Sequence, residues 1–193
     1  MTHLILFAHP KTESFNRAIL RTLTSTLEEK GDSVIVRDLY ALDFTPVLTQ
    51  KDIEALRKGQ TPEDIAQEQH YITQADTLIF VYPLWWTGLP AILKGYVDRV
   101  FSYGFAYRYN QAGEIEGLLK GKKGLLVTTH GTPNAHYDST GMTQALKETT
   151  DSGIFNFCGI TEVNHLFFGA VPSVDDKVRH EMLAKVRESA KEL

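Results

Sequence analysis

"TLIFVYPLWWTGLPAILKGYVDRVF", Thr77–Phe101, decides the fold. Thr77–Tyr82 is a short, unbroken apolar run, the pattern of a strand buried on both faces. From Pro90 onward, Ile92, Leu93, Tyr96, Val97, Val100 and Phe101 recur at three-to-four spacing, which predicts an amphipathic helix over Pro90–Phe101. Lys94 and Asp98 fall on the opposite face, where they can pair. A buried strand running into such a helix is one βα unit of a parallel sheet. The connection between them, Pro83–Pro90, carries Trp85 and Trp86, the chain's only two tryptophans. Connections normally meet water. Two adjacent indoles there call for a flat apolar ligand or a partner chain.

The same unit repeats in both directions from this stretch. Leu4–Ala8 reads as a first buried strand, followed by a helix from Ser14 to Lys30 with Phe15, Ala18, Ile19, Leu23 and Leu27 in one stripe and Gly31 as its stop. Ser33–Asp38 is a second strand, with helical patches near Asp52–Lys58 and Pro62–Gln74 after it. Lys123–Thr129 is a fourth strand, "MTQALKETTDSGIF" holds a further helix, Thr161–Phe168 is a fifth strand, and a charged helix runs from about Val174 to Leu193. Five βα repeats predict an α/β fold: a parallel sheet with helices on both faces. No repeat, low-complexity tract or linker divides the 193 residues, so one domain over 1–193 is expected.

Composition narrows the function classes. A net charge of -4 gives no footprint for nucleic acid. The longest strongly apolar stretch, Leu78–Trp86, is far short of the roughly 20 residues of a membrane helix. The N-terminus lacks a basic n-region and reads as a strand rather than a leader. The one cysteine, Cys158, cannot form an internal disulfide and reads as a buried thiol. Together these predict a cytoplasmic protein without direct membrane insertion. The seven histidines show no metal-ligand spacing, so no metal is expected.

In open α/β sheets, ligands bind beyond the carboxyl ends of the strands. Three loops lie there: His9–Asn16, Pro83–Pro90 and His130–Gly141. The first has no G-x-G-x-x-G, and no P-loop occurs anywhere, which weighs against a nicotinamide Rossmann or P-loop site. It offers His9, Lys11, Thr12 and Ser14 just before a helix, where free N–H groups and the helix dipole favour an anion. Ser14 is equally suited to be a plain N-cap, the commoner role of serine in that position.

"HPKTESFN" (His9–Asn16), "PLWWTGLPAILKGYVDRVF" (Pro83–Phe101) and "TTHG" (Thr128–Gly131) resemble the NAD(P)H:quinone oxidoreductase family of flavodoxin-like flavoproteins. The resemblance implies a flavodoxin-like three-layer sandwich with strand order 2-1-3-4-5. It implies a tightly held flavin, with FAD preferred to FMN, NADH or NADPH as co-substrate, a quinone or similar aromatic acceptor, and a homodimer with the site at the subunit interface. By position, His9, Ser14, Phe15 and Asn16 would hold the flavin's phosphate side. Pro83, Leu84, Trp85, Trp86 and Thr87 would flank its ring, and Thr128, Thr129, His130 and Gly131 its polar edge. "FAYRY" (Phe105–Tyr109) resembles a segment whose tyrosines border the substrate pocket, which marks Tyr107 and Tyr109 as substrate-binding. The family often carries "TTGG"; here the third position is His130. A family tyrosine that stabilises charge on the flavin corresponds to Tyr137 with one residue inserted, and His136 takes that place without a gap. These two are the catalytic candidates.

The implied chemistry is hydride transfer from NAD(P)H to the flavin, then two-electron reduction of a quinone. Two flat reactants taking turns on one aromatic wall predicts ping-pong kinetics. The alternative from another class is a non-catalytic flavoprotein, either an electron carrier or a regulatory subunit of a potassium-efflux transporter. Simple carriers of this fold are usually strongly acidic, unlike this chain.

Overall fold

A computed structural model describes residues 1–193. Seven strands and seven α-helices follow in chain order: β1 Thr2–Phe7, α1 Phe15–Glu29, β2 Ser33–Asp38, α2 Gln50–Arg57, α3 Glu63–Gln74, β3 Thr77–Pro83, α4 Ala91–Val100, β4 Tyr107–Tyr109, β5 Ile115–Gly117, β6 Lys123–Thr129, α5 Asn134–Ser139, α6 Met142–Lys147, β7 Glu162–Phe168 and α7 Asp176–Lys191. A π-helix over Glu148–Asn156 continues α6. The main sheet runs β2-β1-β3-β6-β7, all parallel. Counted among its own strands, this is the flavodoxin-like order 2-1-3-4-5.

Alternation along the strands builds the layers. Leu4, Leu6, Phe80, Tyr82 and Leu126 point to one face and pack with Ile72 of α3, Leu93 and Tyr96 of α4, and Phe155 of the π-helix. Ile5, Phe7, Ile79, Val81, Leu125 and Val127 point to the other and meet Ile19, Leu23 and Leu27 of α1 and Val186 of α7. Each fully buried Leu, Ile or Phe contributes about 1.5–3 kcal/mol. The central strands are buried on both sides, which is why they read as unbroken apolar runs. Cys158 lies in the first of these cores, and burial pushes its thiol up to about 12. No helix is long and apolar enough to cross a membrane.

Two features go beyond the sequence reading. The segment after α4 forms a two-stranded antiparallel hairpin, Tyr107–Tyr109 with Ile115–Gly117. "MTQALKETTDSGIF" is helical as expected, but only its first turns are α. The Thr149 hydroxyl bonds back to the carbonyls of Ala145 at 3.2 Å and Leu146 at 3.1 Å, competing with the backbone ladder where the helix widens.

The chain leaves β1 toward β2, then crosses back over to β3 on the other side of β1. The switch point therefore lies between β1 and β3, and the loops after β1, β3 and β6 converge beyond it.

Candidate functional site

Thr129, the last residue of β6, ties the three loops together. Its carbonyl accepts the Leu84 N–H at 2.8 Å, anchoring the tryptophan loop. Its hydroxyl accepts from Asn16 Nδ2 at 2.8 Å, anchoring the first turn of α1. His9 closes the third side, with its ring 6.2 Å from that of Trp85. His130 follows and is held by its N–H to the Phe168 carbonyl at 2.9 Å. The imidazole of His130 is stacked on Tyr137 of α5, with centroids 4.5 Å apart and planes 12° from parallel.

The cluster leaves buried polar atoms without partners. Asn16 Oδ1, His130 Nδ1 and His130 Nε2 are all buried and have no hydrogen-bond partner of good geometry; the Thr132 backbone and the Asn134 side chain approach the His130 ring without reaching that geometry. Buried polar groups in folded proteins are nearly always satisfied. Three of the six unpartnered buried side-chain atoms fall on Asn16 and His130, the residues bonded to and following Thr129, a concentration that suits a polar partner from outside the chain. A Cβ built on Gly131 meets nothing within 4 Å, so space is open beside them. On the anion side, Ser14 acts as the N-cap of α1, its hydroxyl accepting the Arg17 N–H at 3.2 Å. The helix has no acidic residue in its first turn to oppose an incoming anion. Arg17 itself is committed to Asp38 at 2.7 Å.

The tryptophans are presented by a strained turn. Trp85 N–H donates to the Gly88 carbonyl at 3.2 Å, and Gly88 N–H returns to Trp85 at 3.1 Å. Between them Trp86 and Thr87 adopt φ +51 and +55. Positive φ at both central residues is the type I′ geometry normally filled by Asn-Gly. An indole and a β-branched residue there cost on the order of 1–2 kcal/mol each. Trp85 is 42 % exposed and Trp86 is 100 % exposed. Only Trp85 leans on the rest of the site. Thr87→Gly is expected to raise stability by about 0.5–1 kcal/mol, strain relief offset by the entropy of glycine in the unfolded chain. A urea midpoint that falls instead would show that the turn stores no strain.

Other expected residues lie apart. Tyr107 and Tyr109 are on the hairpin, where Tyr107 packs edge-on against Phe157 at 4.9 Å. Tyr107 and Tyr103 line a separate cavity of about 490 Å³ with Leu48, Ile53, Leu56 and Phe101. His136 is exposed on α5, facing water. The Thr128 side chain turns to β7, with its hydroxyl 3.3 Å from His165 Nε2. The Asn16–Thr129 bond was not legible in the sequence, since the partners lie 113 positions apart.

Burial lowers the pKa of His9 and His130 below the ordinary histidine value. For His130, the approach of the Thr132 backbone and the Asn134 side chain pulls the other way. Burial also lowers His3 and His165, each partly offset by a carboxylate, Asp32 and Asp151 respectively. All four are therefore neutral in the fold at pH 7. Below about pH 6.5 the unfolded chain binds protons that the folded chain refuses, so stability falls with pH until the folded values are reached. The urea midpoint is expected to be flat above pH 7.5 and to decline from about pH 6.5 downward. His130→Gln should make the decline shallower; an unchanged slope would remove His130 from this set.

Comparison with known proteins agrees with this architecture. The flavodoxin-like fold family matches residues 1–190. An uncharacterised NAD(P)H oxidoreductase of Haemophilus influenzae is 45 % identical over 184 residues, covering 95 % of this chain and 91 % of that one. The ribosyldihydronicotinamide dehydrogenase [quinone] of Homo sapiens is 35 % identical over 176 residues, covering 81 % and 76 %. The structure of an NAD(P)H:quinone oxidoreductase from Methanothermobacter marburgensis superposes with a TM-score of 0.88 at 32 % identity, over 98 % of this chain and 95 % of that one. With the sheet order and the residues gathered at its carboxyl edge, these matches make the chain a member of the NAD(P)H:quinone oxidoreductase family, enzymes of flavodoxin-like fold.

Proposed function

We propose that the chain is a flavin-dependent NAD(P)H:quinone oxidoreductase of the cytoplasm, working as one flavin-binding domain over 1–193. The observation that carries this is the set of unpartnered buried atoms, Asn16 Oδ1 and both His130 nitrogens, on either side of Thr129, with open space at Gly131 and the Trp85 loop anchored to the Thr129 carbonyl. That combination suits a flat ring with polar atoms along one edge. The first turn of α1 offers free N–H groups to a phosphate, with His9, Ser14 and Phe15 shaping its approach. Pro83 and Leu84 set the indole wall, and Gly131 leaves room above the ring.

Bound flavin supplies the hydride acceptor and donor. The protein binds, orients and steadies charge. His130, neutral and buried, can donate from one ring nitrogen to a polar atom of the ring edge, and Tyr137 backs it by stacking. His130 thus takes the charge-steadying role, with Tyr137 its support and His136 outside it. NADH or NADPH and the quinone would use the same aromatic wall in turn, which gives ping-pong kinetics. FAD is our choice over FMN, on the resemblance to the quinone reductases. The fully exposed Trp86 leaves the wall open on one side, and we assign its cover to a second copy of the chain. Tyr107 and Tyr109 of the partner subunit would then border the acceptor.

Anaerobic spectroscopy tests the reading. The purified protein should be yellow, bleach on adding NADH or NADPH, and recover its colour with a quinone. A colourless protein that takes up neither FAD nor FMN would sink it, and chromatography of the released flavin distinguishes the two cofactors. Trp85→Ala should weaken flavin binding at least tenfold, roughly 1.4 kcal/mol. The half-exposed indole contributes little to the core, so the thermal midpoint should move by only a few degrees.

A further inference from the structure

On the α4 side of the sheet, next to the site, lies a buried polar seam that the proposed reaction leaves unused. His165 of β7 has its side chain 1 % exposed. Its Nδ1 sits 2.7 Å from Asp151 Oδ1, and since a carboxylate only accepts, the hydrogen is on Nδ1. Its Nε2 sits 3.3 Å from Thr128 Oγ1, which is also 3.3 Å from the Leu166 carbonyl. Phe167 stacks on the imidazole at 3.8 Å. Apolar side chains of equal volume would serve the fold as well as, or better than, a buried imidazole–carboxylate pair. Asp151 also stands on the π-helix, a distortion that recurs at functional sites.

The seam has two hydrogen-bonded states. With His165 neutral, the Thr128 hydroxyl donates to Nε2. With His165 protonated, Nε2–H donates to Thr128 and the hydroxyl turns to Leu166. Thr128 stays bonded in both, but its dipole reverses, one residue before Thr129. We propose that Asp151 and His165 are positioning residues that set the orientation of Thr128 and, through it, the polar edge Thr129–Gly131 that meets the flavin. The proposal rests on the flavin reading above. The charged groups acting on His165 are Asp151 of the π-helix and Lys147 of α6; Tyr82 of β3 feels the same Asp151.

Two measurements decide it. In the flavin-free protein, NMR should show the backbone amides of Thr129 to Gly131 shifting with the same pH midpoint as the His165 ring nitrogens. Asp151→Asn should lower that midpoint, because it removes the carboxylate that favours the protonated ring. His165→Gln should remove this component and leave any contribution of His130. In flavin titrations followed by fluorescence, wild-type affinity for FAD should vary with pH through that midpoint. His165→Gln and Thr128→Val should flatten the profile and bind at least threefold more weakly, while Thr128→Ser retains the wild-type profile. Thermal unfolding checks that each variant is folded, and Asp151→Asn, equal in shape, serves if His165→Gln is not. Amides that ignore His165, or variants with the wild-type affinity profile, overturn the proposal. Wild-type protein that binds no flavin overturns the functional reading instead, and the amide titration then decides the positioning claim alone.

Discussion

Thr129→Val is expected to lower unfolding free energy by about 1–3 kcal/mol and to abolish tight cofactor uptake. Valine matches threonine in shape, so no cavity opens; what is lost is the hydroxyl that accepts from Asn16 Nδ2 at 2.8 Å. Asn16 is buried and its Oδ1 already lacks a partner, so the substitution orphans the whole amide. Replacing both partners by apolar groups of similar shape removes that penalty. Asn16→Leu combined with Thr129→Val should therefore recover much of the stability of the single variant while still binding no cofactor. Urea unfolding of the four proteins measures the coupling, and flavin titration measures the function. Equal stability of Thr129→Val and wild type would show that the hydroxyl does not tie the loops together.

Gly169→Ala should be at least as damaging, at about 1–3 kcal/mol or more. A Cβ there would run into Asn134 Oδ1, and would lie 2.6 Å from the Thr132 carbonyl and 2.7 Å from the Asn134 amide. Two of these three atoms are backbone and cannot rotate away. The segment must shift, and it carries His130 at one end and Tyr137 at the other. Both stability and cofactor affinity should fall. Gly131→Ala is the contrast: its Cβ meets no protein atom, so stability should hold while the added methyl projects into the space we assign to the flavin. Thermal midpoints and flavin titrations of the pair give the result. If Gly131→Ala binds flavin normally, that space is not the binding site.

The fold was legible because the central strands are buried on both faces and so carry unbroken apolar runs; Lys123–Thr129 has the same bounds in sequence and structure. The hairpin over 107–117 leaves no pattern in the sequence because each arm is three residues long, too short for a period to register. The π-helix leaves no sequence signal because residues 148–156 are mostly poor helix formers, with Ile154 and Phe155 side by side, so no apolar period shows how the turns are wound, and only the hydroxyl of Thr149 marks the widening. For the site, strand ends and loop order placed the three loops at one edge, and family motifs supplied most residue names. Side-chain direction was not legible. Adjacent Trp85 and Trp86 look equivalent in sequence, yet a turn with two positive φ angles separates them. The Asn16–Thr129 and His165–Thr128 bonds join distant positions and leave no local pattern at all.

The exposure of the two indoles also makes the protein its own optical probe. With no other tryptophan in the chain, the tryptophan emission, excited beyond the absorption of the eight tyrosines, comes from one loop at the sheet edge. Trp86 is fully exposed in the single chain, so its emission should shift to the red when the second copy that we assign as its cover leaves, and a fluorescence melt will report the opening of this loop and its interface rather than loss of the core. Far-ultraviolet dichroism follows the sheet and helices instead. The two signals should separate when the loop loosens first and coincide once a ligand locks it. A bound flavin would also absorb the indole emission, so the same lamp that follows unfolding would count occupied sites.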